Sequence, residues 1–510
     1  MGRVPDPRVN RPLWLEQVST VFPRLEANRD VDVAVVGAGI TGVTAAYLLK
    51  AAGKRVALVE ASRVGFGATG YTTAKLTVGH NLIYRDLVDS FGVEVAALYA
   101  RSNQEAIDGI AGLVQEHGID CDFEPTSNYV YVENRSAVAD IEQEVVAAQA
   151  AGVAAELTTE TDLPYEVAAA VRVDGQAQFH PWKYVAALAR LVEGDGSFVF
   201  ESTRATHVHS GTPCTVETAR GRVQAPYVVV ATQLPFLDRS LLFSKAHPMK
   251  SYAIAATMNE NEAPRGMYIS ADQPTRSVRS TPAQDGRRLL IVGGEGHKPG
   301  NDPGALQRYA RLEKFARERF GAPSAEYRWS THDYTPLDHL PYIGRVQRGD
   351  PHVLMATGFA KWGMTKGTLA AMVLTDEILG RSNTYAELYD ANRIDLRRSA
   401  VRFAKENATV AATFFRDRVR RGDKPDAIEH LRPREGTIVR AGAKQYAVYR
   451  DDDGTLHTLS ARCTHLGCIV GWNPADRAWE CPCHGSRFTA EGTLVQGPAT
   501  LDLRPEELRA

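Results

Sequence analysis

The chain has 510 residues, of which 44% are hydrophobic and 24% charged, with a formal net charge of -2. That length predicts two to four domains, and ordinary composition near charge neutrality gives no electrostatic reason for a nucleic-acid or membrane partner. No apolar run before Arg29 is long enough for a secretory signal, and the most apolar stretch, Val33 to Leu49, is broken by glycines and short of a membrane span, so a cytoplasmic protein is expected.

Asp30 to Val36 is a strand-like apolar run leading into Gly37-Ala38-Gly39-Ile40-Thr41-Gly42 and a helical stretch, Val43 to Ala52. A second strand, Arg55 to Val59, ends at Glu60 and Ala61. This is the order of a dinucleotide fingerprint: strand, tight glycine turn, helix, strand, and an acid about twenty residues on. Gly37 permits the turn, Gly39 lets the backbone approach a pyrophosphate, and Gly42 lets the helix pack closely on the sheet. The helix start at Ile40 and Thr41 offers N–H donors and a positive dipole end, and Glu60 can accept both ribose hydroxyls. The fingerprint alone does not separate FAD from NAD.

Downstream, Gly65 to Lys75 is a loop of small residues suited to backbone passing close to a phosphate or ring. Ala177 to Tyr184 leads into a helix, Val185 to Val192, and Pro226 to Thr232 reads as a buried strand. Tyr334 to Gly344 precedes a strand, Val353 to Ala356, a glycine turn, Thr357 to Thr365, and a helix, Lys366 to Leu379. With these blocks the chain, over about residues 30 to 385, resembles the FAD-dependent amine and amino-acid oxidoreductases of the D-amino-acid oxidase and glycine oxidase superfamily.

The resemblance implies an α/β FAD-binding domain, Rossmann-like and of glutathione-reductase type (28–80, 170–240 and 335–383), with an inserted α+β substrate domain (81–169 and 241–334). It implies a small amine or amino-acid substrate. It places FAD against the fingerprint, against Gly67, Ala68, Thr69, Thr72, Thr73 and Ala74, and against Ala231 and Thr232. The final glycine turn, with Gly358, Phe359, Gly363, Met364 and Thr365, aims a helix N-terminus at the flavin. Gly65 to Gly79 holds no histidine or cysteine, so non-covalent FAD is expected, with His80 the nearest residue able to attach it. Tyr71 stands where relatives often carry a basic residue. Lys75, His80, Lys361 and Trp362 are the candidates for catalysis by position alone, since a flavin can oxidise a neutral amine without a strong protein base. Leu289 to Gly296 has glycines after a strand but no second fingerprint, so no NAD(P)H domain is expected.

Residues 384–426 read as a helical linker. Ala400, Ala404, Ala408, Ala411, Phe415 and Val419 form an apolar stripe among Arg397, Arg398, Arg402, Lys405, Arg416, Arg418 and Arg420. The FAD core is expected to use nothing beyond about Asp423.

From Glu435 the pattern turns to short strands, Gly436 to Arg440, Gln445 to Arg450 and Leu456 to Ser460, joined by turns. Four of the six cysteines then lie within two loops, Cys463-Thr-His465-Leu-Gly-Cys468 and Cys481-Pro-Cys483-His484-Gly-Ser486. Cys121 and Cys214 are isolated and read as small buried hydrophobes. Two Cys and two His also suit tetrahedral zinc, but zinc leaves Cys468, Cys483 and the glycines of both loops unexplained. The loops resemble those of Rieske proteins, which implies an all-β domain over 427–510 with a [2Fe-2S] cluster on Cys463, His465, Cys481 and His484. Neutral imidazoles in place of two thiolates raise such a potential to about -150 to +300 mV. The resemblance further implies a Cys468–Cys483 disulfide, as in the respiratory and photosynthetic subfamily, and a hydrogen bond from Ser486 to a bridging sulfide. Phe488 replaces the tyrosine that bonds a ligand sulfur there, so a lower potential is expected. No transmembrane anchor precedes the loops, so a membrane-complex subunit is not expected.

The combined expectation is an oxidoreductase that takes a hydride from a C–N bond and passes electrons to the cluster and on to an unknown one-electron acceptor. An NAD(P)H-driven ferredoxin-type reductase and a non-enzymatic redox sensor are the alternatives, separated by whether an amine, NADH or neither bleaches the flavin.

Overall fold

Two short runs, Val33–Val36 and Val56–Val59, are buried at every position, as parallel strands covered on both faces must be. They pair in register at the centre of a six-stranded sheet. Its order is Tyr342–Gln347, Asp350–Thr357, Tyr227–Val230, Val33–Val36, Val56–Val59 and Phe198–Phe200, with only the first strand antiparallel. The computed structural model describes residues 10–16, 22–237, 242–300, 304–393, 408, 414, 417–418 and 422–508.

Alternate residues of each central strand serve different layers. Val33, Val35, Val56 and Leu58 pack under the helices Ile40–Ala51, Pro181–Val192 and Gly363–Ile378. Ala34, Val36, Ala57 and Val59 pack instead against Val208, Val216 and Val223, which belong to a small sheet on the opposite face. Pro at the first helical position and a His180 side chain accepting the Lys183 N–H start the Pro181–Val192 helix.

The segments between these strands build a large, mainly antiparallel sheet, among the described residues, that runs from Tyr327–Pro336 through Ala246–Asn259, Arg287–His297, Arg276–Pro282, Met267–Ser270, Glu124–Val132 and Ala169–Gln178 to Lys75–Leu76. The Leu289 to Gly296 glycines therefore lie in a strand of this sheet. The helix Ala305–Phe320 covers one end, on Tyr252, Ile254 and Val292.

The linker opens with a short helix, Ala386–Tyr389, whose fully buried Tyr389 hydroxyl pairs with Ser102 at 2.8 Å, and Arg393 bonds Asp338 at 2.8 Å. Most of the Ala400 to Arg420 stripe lies outside the described residues. No helix among the described residues is long and apolar enough to cross a membrane.

Beyond it stand a three-stranded sheet, Gly436–Ala441, Lys444–Arg450 and Leu456–Ser460, and a four-stranded one, Gly471–Asn473, Ala478–Glu480, Arg487–Thr489 and Leu494–Gln496. Both are antiparallel and share a core of Ile438, Ala447, Leu459, Trp479 and Phe488 that also takes in all four loop cysteines.

Candidate functional site: a cleft and two cysteine–histidine loops

The carboxyl ends of the parallel strands open on a cleft of about 1420 Å³. Its floor depends on glycine: a Cβ on Gly37 would stand 2.6 Å from the Ala231 carbonyl oxygen, and one on Gly42 1.8 Å from that of Gly37. Glu60 follows the end of its strand, half-buried, and accepts from the Ala38 N–H at 2.9 Å and the Ser62 N–H at 2.7 Å. Burial pushes its pKa up while these two donors oppose the shift. A carboxylate has about four lone-pair directions, so acceptor capacity is left for a sugar. One helix-start donor is already engaged, since the Ile40 N–H donates to Thr69 Oγ1 at 3.0 Å.

Of the residues expected at the cofactor, Gly37, Gly39, Ile40, Thr41, Glu60, Ala61, Gly67, Ala68, Thr69, Thr72, Thr73, Ala231, Thr232, Phe359, Gly363 and Met364 line this cleft. Gly42, Ala74, Gly358 and Thr365 stand behind its wall. Gly42 serves helix-to-sheet packing, Ala74 gives its carbonyl to Arg279 at 2.6 Å, Gly358 packs on Pro336, and Thr365 Oγ1 faces the Thr77 backbone. A long cleft floored by close-approach glycines and lined by an acid with spare acceptor capacity fits an extended dinucleotide.

Among the catalytic candidates, Lys361 and Trp362 line the cleft from a turn in which Ala360 (φ 51°) and Lys361 (φ 72°) are both left-handed, a conformation rare outside glycine. The helix Gly363–Ile378 starts there, three residues earlier than its sequence suggests. Lys361 stands exposed at the cleft, and the Asp333 carboxylate beside it accepts the Lys361 backbone N–H. One turn on, burial brings Lys366 down to about 7, and its ammonium lies 5.5 Å from the Tyr99 ring centroid. Lys75 also lines the cleft, buried, with its ammonium on the Tyr268 carbonyl. His80 sits behind Trp362 at 4.7 Å between ring centroids, pairs with the Tyr99 hydroxyl and does not line the cleft.

The two cysteine–histidine loops are built alike. Cys463 N–H donates to Cys468 O and Cys481 N–H to Ser486 O, both at 2.8 Å; Gly467 N–H returns to Cys463 O and Gly485 N–H to Cys481 O, both at 3.0 Å. A disulfide joins Cys468 to Cys483 and clips the loops together. The Cys463 sulfur lies within hydrogen-bonding reach of Cys481 and Ser486, and the His465 and His484 rings meet edge to face at 5.0 Å. Burial, then His465, push the His484 imidazole down to about 3, which keeps it neutral, and its buried Nδ1 has no hydrogen-bond partner among the described residues. Two thiols and two imidazoles on one disulfide-clipped platform are the donor set a Rieske cluster requires.

The loops dock on the strand Tyr327–Pro336. Tyr334 donates its hydroxyl proton to the His484 carbonyl at 2.7 Å, His332 Nδ1 pairs with the Gly485 carbonyl at 2.9 Å, and the Phe243 ring lies 5.1 Å from that of His484. Beside this contact Lys250 forms ion pairs with Asp476 and Glu480, and Arg487 reaches Asp476 at 2.8 Å, all four buried. Arg487 and the segment from Thr493 to Thr500 also line the cleft, so the expectation that the core uses nothing beyond Asp423 is corrected. That wall, together with Arg204, Gln233, Glu295 and Arg308, went unnoticed in the sequence because none belongs to a motif or to a period.

Comparison with known proteins agrees with this geometry. The model of the family described as DAO, FAD dependent oxidoreductase, matches residues 32–377, and that of the Rieske [2Fe-2S] domain matches 426–505. A Bacillus subtilis (strain 168) protein named for a Rieske 2Fe-2S iron-sulfur centre, YhfW, is 36% identical over 490 residues, covering 96% of this chain and 95% of its own. Gamma-glutamylputrescine oxidoreductase of Escherichia coli (strain K12) is 26% identical over 383 residues, 72% of this chain and 88% of that protein. In fold, glycine oxidase from Geobacillus kaustophilus superposes with a TM-score of 0.59 at 18% identity, over 72% of this chain and 99% of that one. The chain therefore belongs to the DAO family of FAD-dependent oxidoreductases and carries a C-terminal Rieske domain, with FAD and a [2Fe-2S] cluster as the cofactors of the two parts.

Proposed function

We propose that this protein oxidises a C–N bond of an amine or amino acid at FAD in the cleft and passes the electrons singly to a [2Fe-2S] cluster on Cys463, His465, Cys481 and His484. When bound, FAD supplies two-electron oxidation of the substrate and the cluster supplies one-electron transfer to an external acceptor. Similarity to an amine-oxidising protein, gamma-glutamylputrescine oxidoreductase, supports the substrate class.

The observation that carries the reading is the two-faced strand Tyr327–Pro336. Trp329, Thr331, Asp333 and Thr335 line the cleft, while the alternating His332 and Tyr334 meet the loop that holds His484. The Tyr334 carbonyl accepts the Ala360 N–H at 3.0 Å, so the Phe359 to Trp362 turn and the cluster loop are bonded to opposite ends of one residue. This strand therefore touches both the cleft and the His484 loop, which supports the reading.

On the cleft side, the N-terminus of the helix Gly363–Ile378 opens at this turn, and its positive dipole end favours negative charge there. A substrate amine presented neutral there keeps its nitrogen lone pair for the departing hydride, so no protein base is required.

The test is anaerobic stopped-flow absorbance with a panel of amines and amino acids, and with NADH. Flavin bleaching by an amine followed by cluster reduction is the expected result. Bleaching by NADH alone would make the protein a reductase, and a cluster that stays oxidised while the flavin is reduced would make it a sensor or structural element.

A further inference from the structure

The last strand of the Rieske domain and the turn after it form a wall of the FAD-binding domain's own cleft. Arg204 donates from Nη2 to the Leu494 carbonyl at 3.1 Å, and the same arginine is attracted to Glu60, the acid that ends the fingerprint. Gln496 Nε2 bonds Gln233 Oε1 at 2.5 Å, next to Thr232 on the cleft rim. Behind the wall, the Ala499 N–H donates to Ser486 Oγ at 3.1 Å and the Leu494 N–H to Asp502 Oδ1 at 2.8 Å. Leu494, Pro498 and Ala499 are buried, so the segment is a fixed part of the molecule and not a loose edge.

We propose that the Rieske segment Leu494–Thr500 is part of the dinucleotide site and closes its adenosine end. Glu60 marks where a ribose binds. Arg204, which lines the cleft with Glu60, is bonded to Leu494, so an adenosine seated at Glu60 lies between the FAD-binding sheet and the Rieske wall. The Rieske domain then has a second task besides electron transfer, which is to retain the cofactor that reduces it. This inference rests on a dinucleotide at the Gly37–Glu60 fingerprint and is independent of the substrate.

Full-length protein stripped of FAD, with its cluster in place, is the material for the test, and ADP is the probe. Hydrogen–deuterium exchange on the wild-type chain should show ADP protecting amides in two places, Gly37–Glu60 and Leu494–Thr500. Protection of the fingerprint alone overturns the proposal, whereas protection of neither overturns the placement of the dinucleotide itself. Gln496→Ala, which unties the wall, should weaken ADP and FAD about tenfold and leave FMN, which lacks the adenosine, within about twofold. Thr500→Trp, which obstructs the cleft from the Rieske side, should do the same. Equal affinities for ADP in wild type and both variants, with the cluster's visible circular dichroism intact, would also overturn it.

Discussion

Ser486 shows how much one side chain carries in this protein. It is fully buried, its hydroxyl oxygen accepts the Ala499 N–H, and it lies within reach of the Cys463 sulfur. A donor at that sulfur stabilises the more negative, reduced cluster more than the oxidised one. A hydrogen bond to a charged group contributes about 1.5–3 kcal/mol, of which the difference between the two redox states sets the potential. At about 59 mV per tenfold for one electron, Ser486→Ala should lower the midpoint by about 50–100 mV, read by protein-film voltammetry. Phe488 packs, fully buried, in the core that holds the loop cysteines and has no hydroxyl to add to this effect.

At the scale of elements, the strand Tyr327–Pro336 stands between the cleft and the loop that carries His484. Its period of two sends His332 and Tyr334 to one side and Asp333 and Thr335 to the other. Tyr334→Phe keeps the ring in its buried place with Leu234 and Ala246 and removes only the bond to the His484 carbonyl. Flavin reduction by substrate should be unchanged, and cluster reduction should slow about fivefold, the equivalent of one neutral hydrogen bond of about 1 kcal/mol. Stopped-flow traces at the flavin and cluster wavelengths separate the two steps.

For the whole molecule, the buried group of Lys250, Asp476, Glu480 and Arg487 joins the substrate-side sheet to the Rieske domain. Lys250→Met leaves two buried carboxylates with one cation, and breaking such a pair costs about 3–5 kcal/mol. We expect one cooperative urea transition in wild type to become two, with flavin release and cluster loss no longer coincident. Burial pushes the Asp476 carboxyl up, but Lys250 and Arg487 outweigh it and hold the pKa below the usual range. A depressed carboxylate stabilises the fold above its unfolded value of about 4, and that contribution is lost as pH falls through the folded pKa. Acid below about pH 4 should therefore loosen the contact between the domains in wild type and have less effect in Lys250→Met, measured by tryptophan fluorescence.

What the sequence by itself determined was local: the glycine turn at Gly37 to Gly42, the acid at Glu60 and the paired Cys-x-His and Cys-x-x-His loops are chemistry encoded within a few residues, where the spacing is the geometry. The central strands were readable for the same reason, because an all-apolar run bounded by turns has few other uses. The tertiary structure alone decided which of those residues share a space. Lys75 and Lys361 look equivalent in the sequence and both line the cleft, yet Lys75 is buried with its ammonium on the Tyr268 carbonyl while Lys361 stands exposed. Arg204 beside Leu494, Lys250 beside Glu480 and Tyr334 beside His484 join positions more than a hundred residues apart. Such contacts follow from how the sheets stack and where the last domain docks, and no local pattern of residues records that docking.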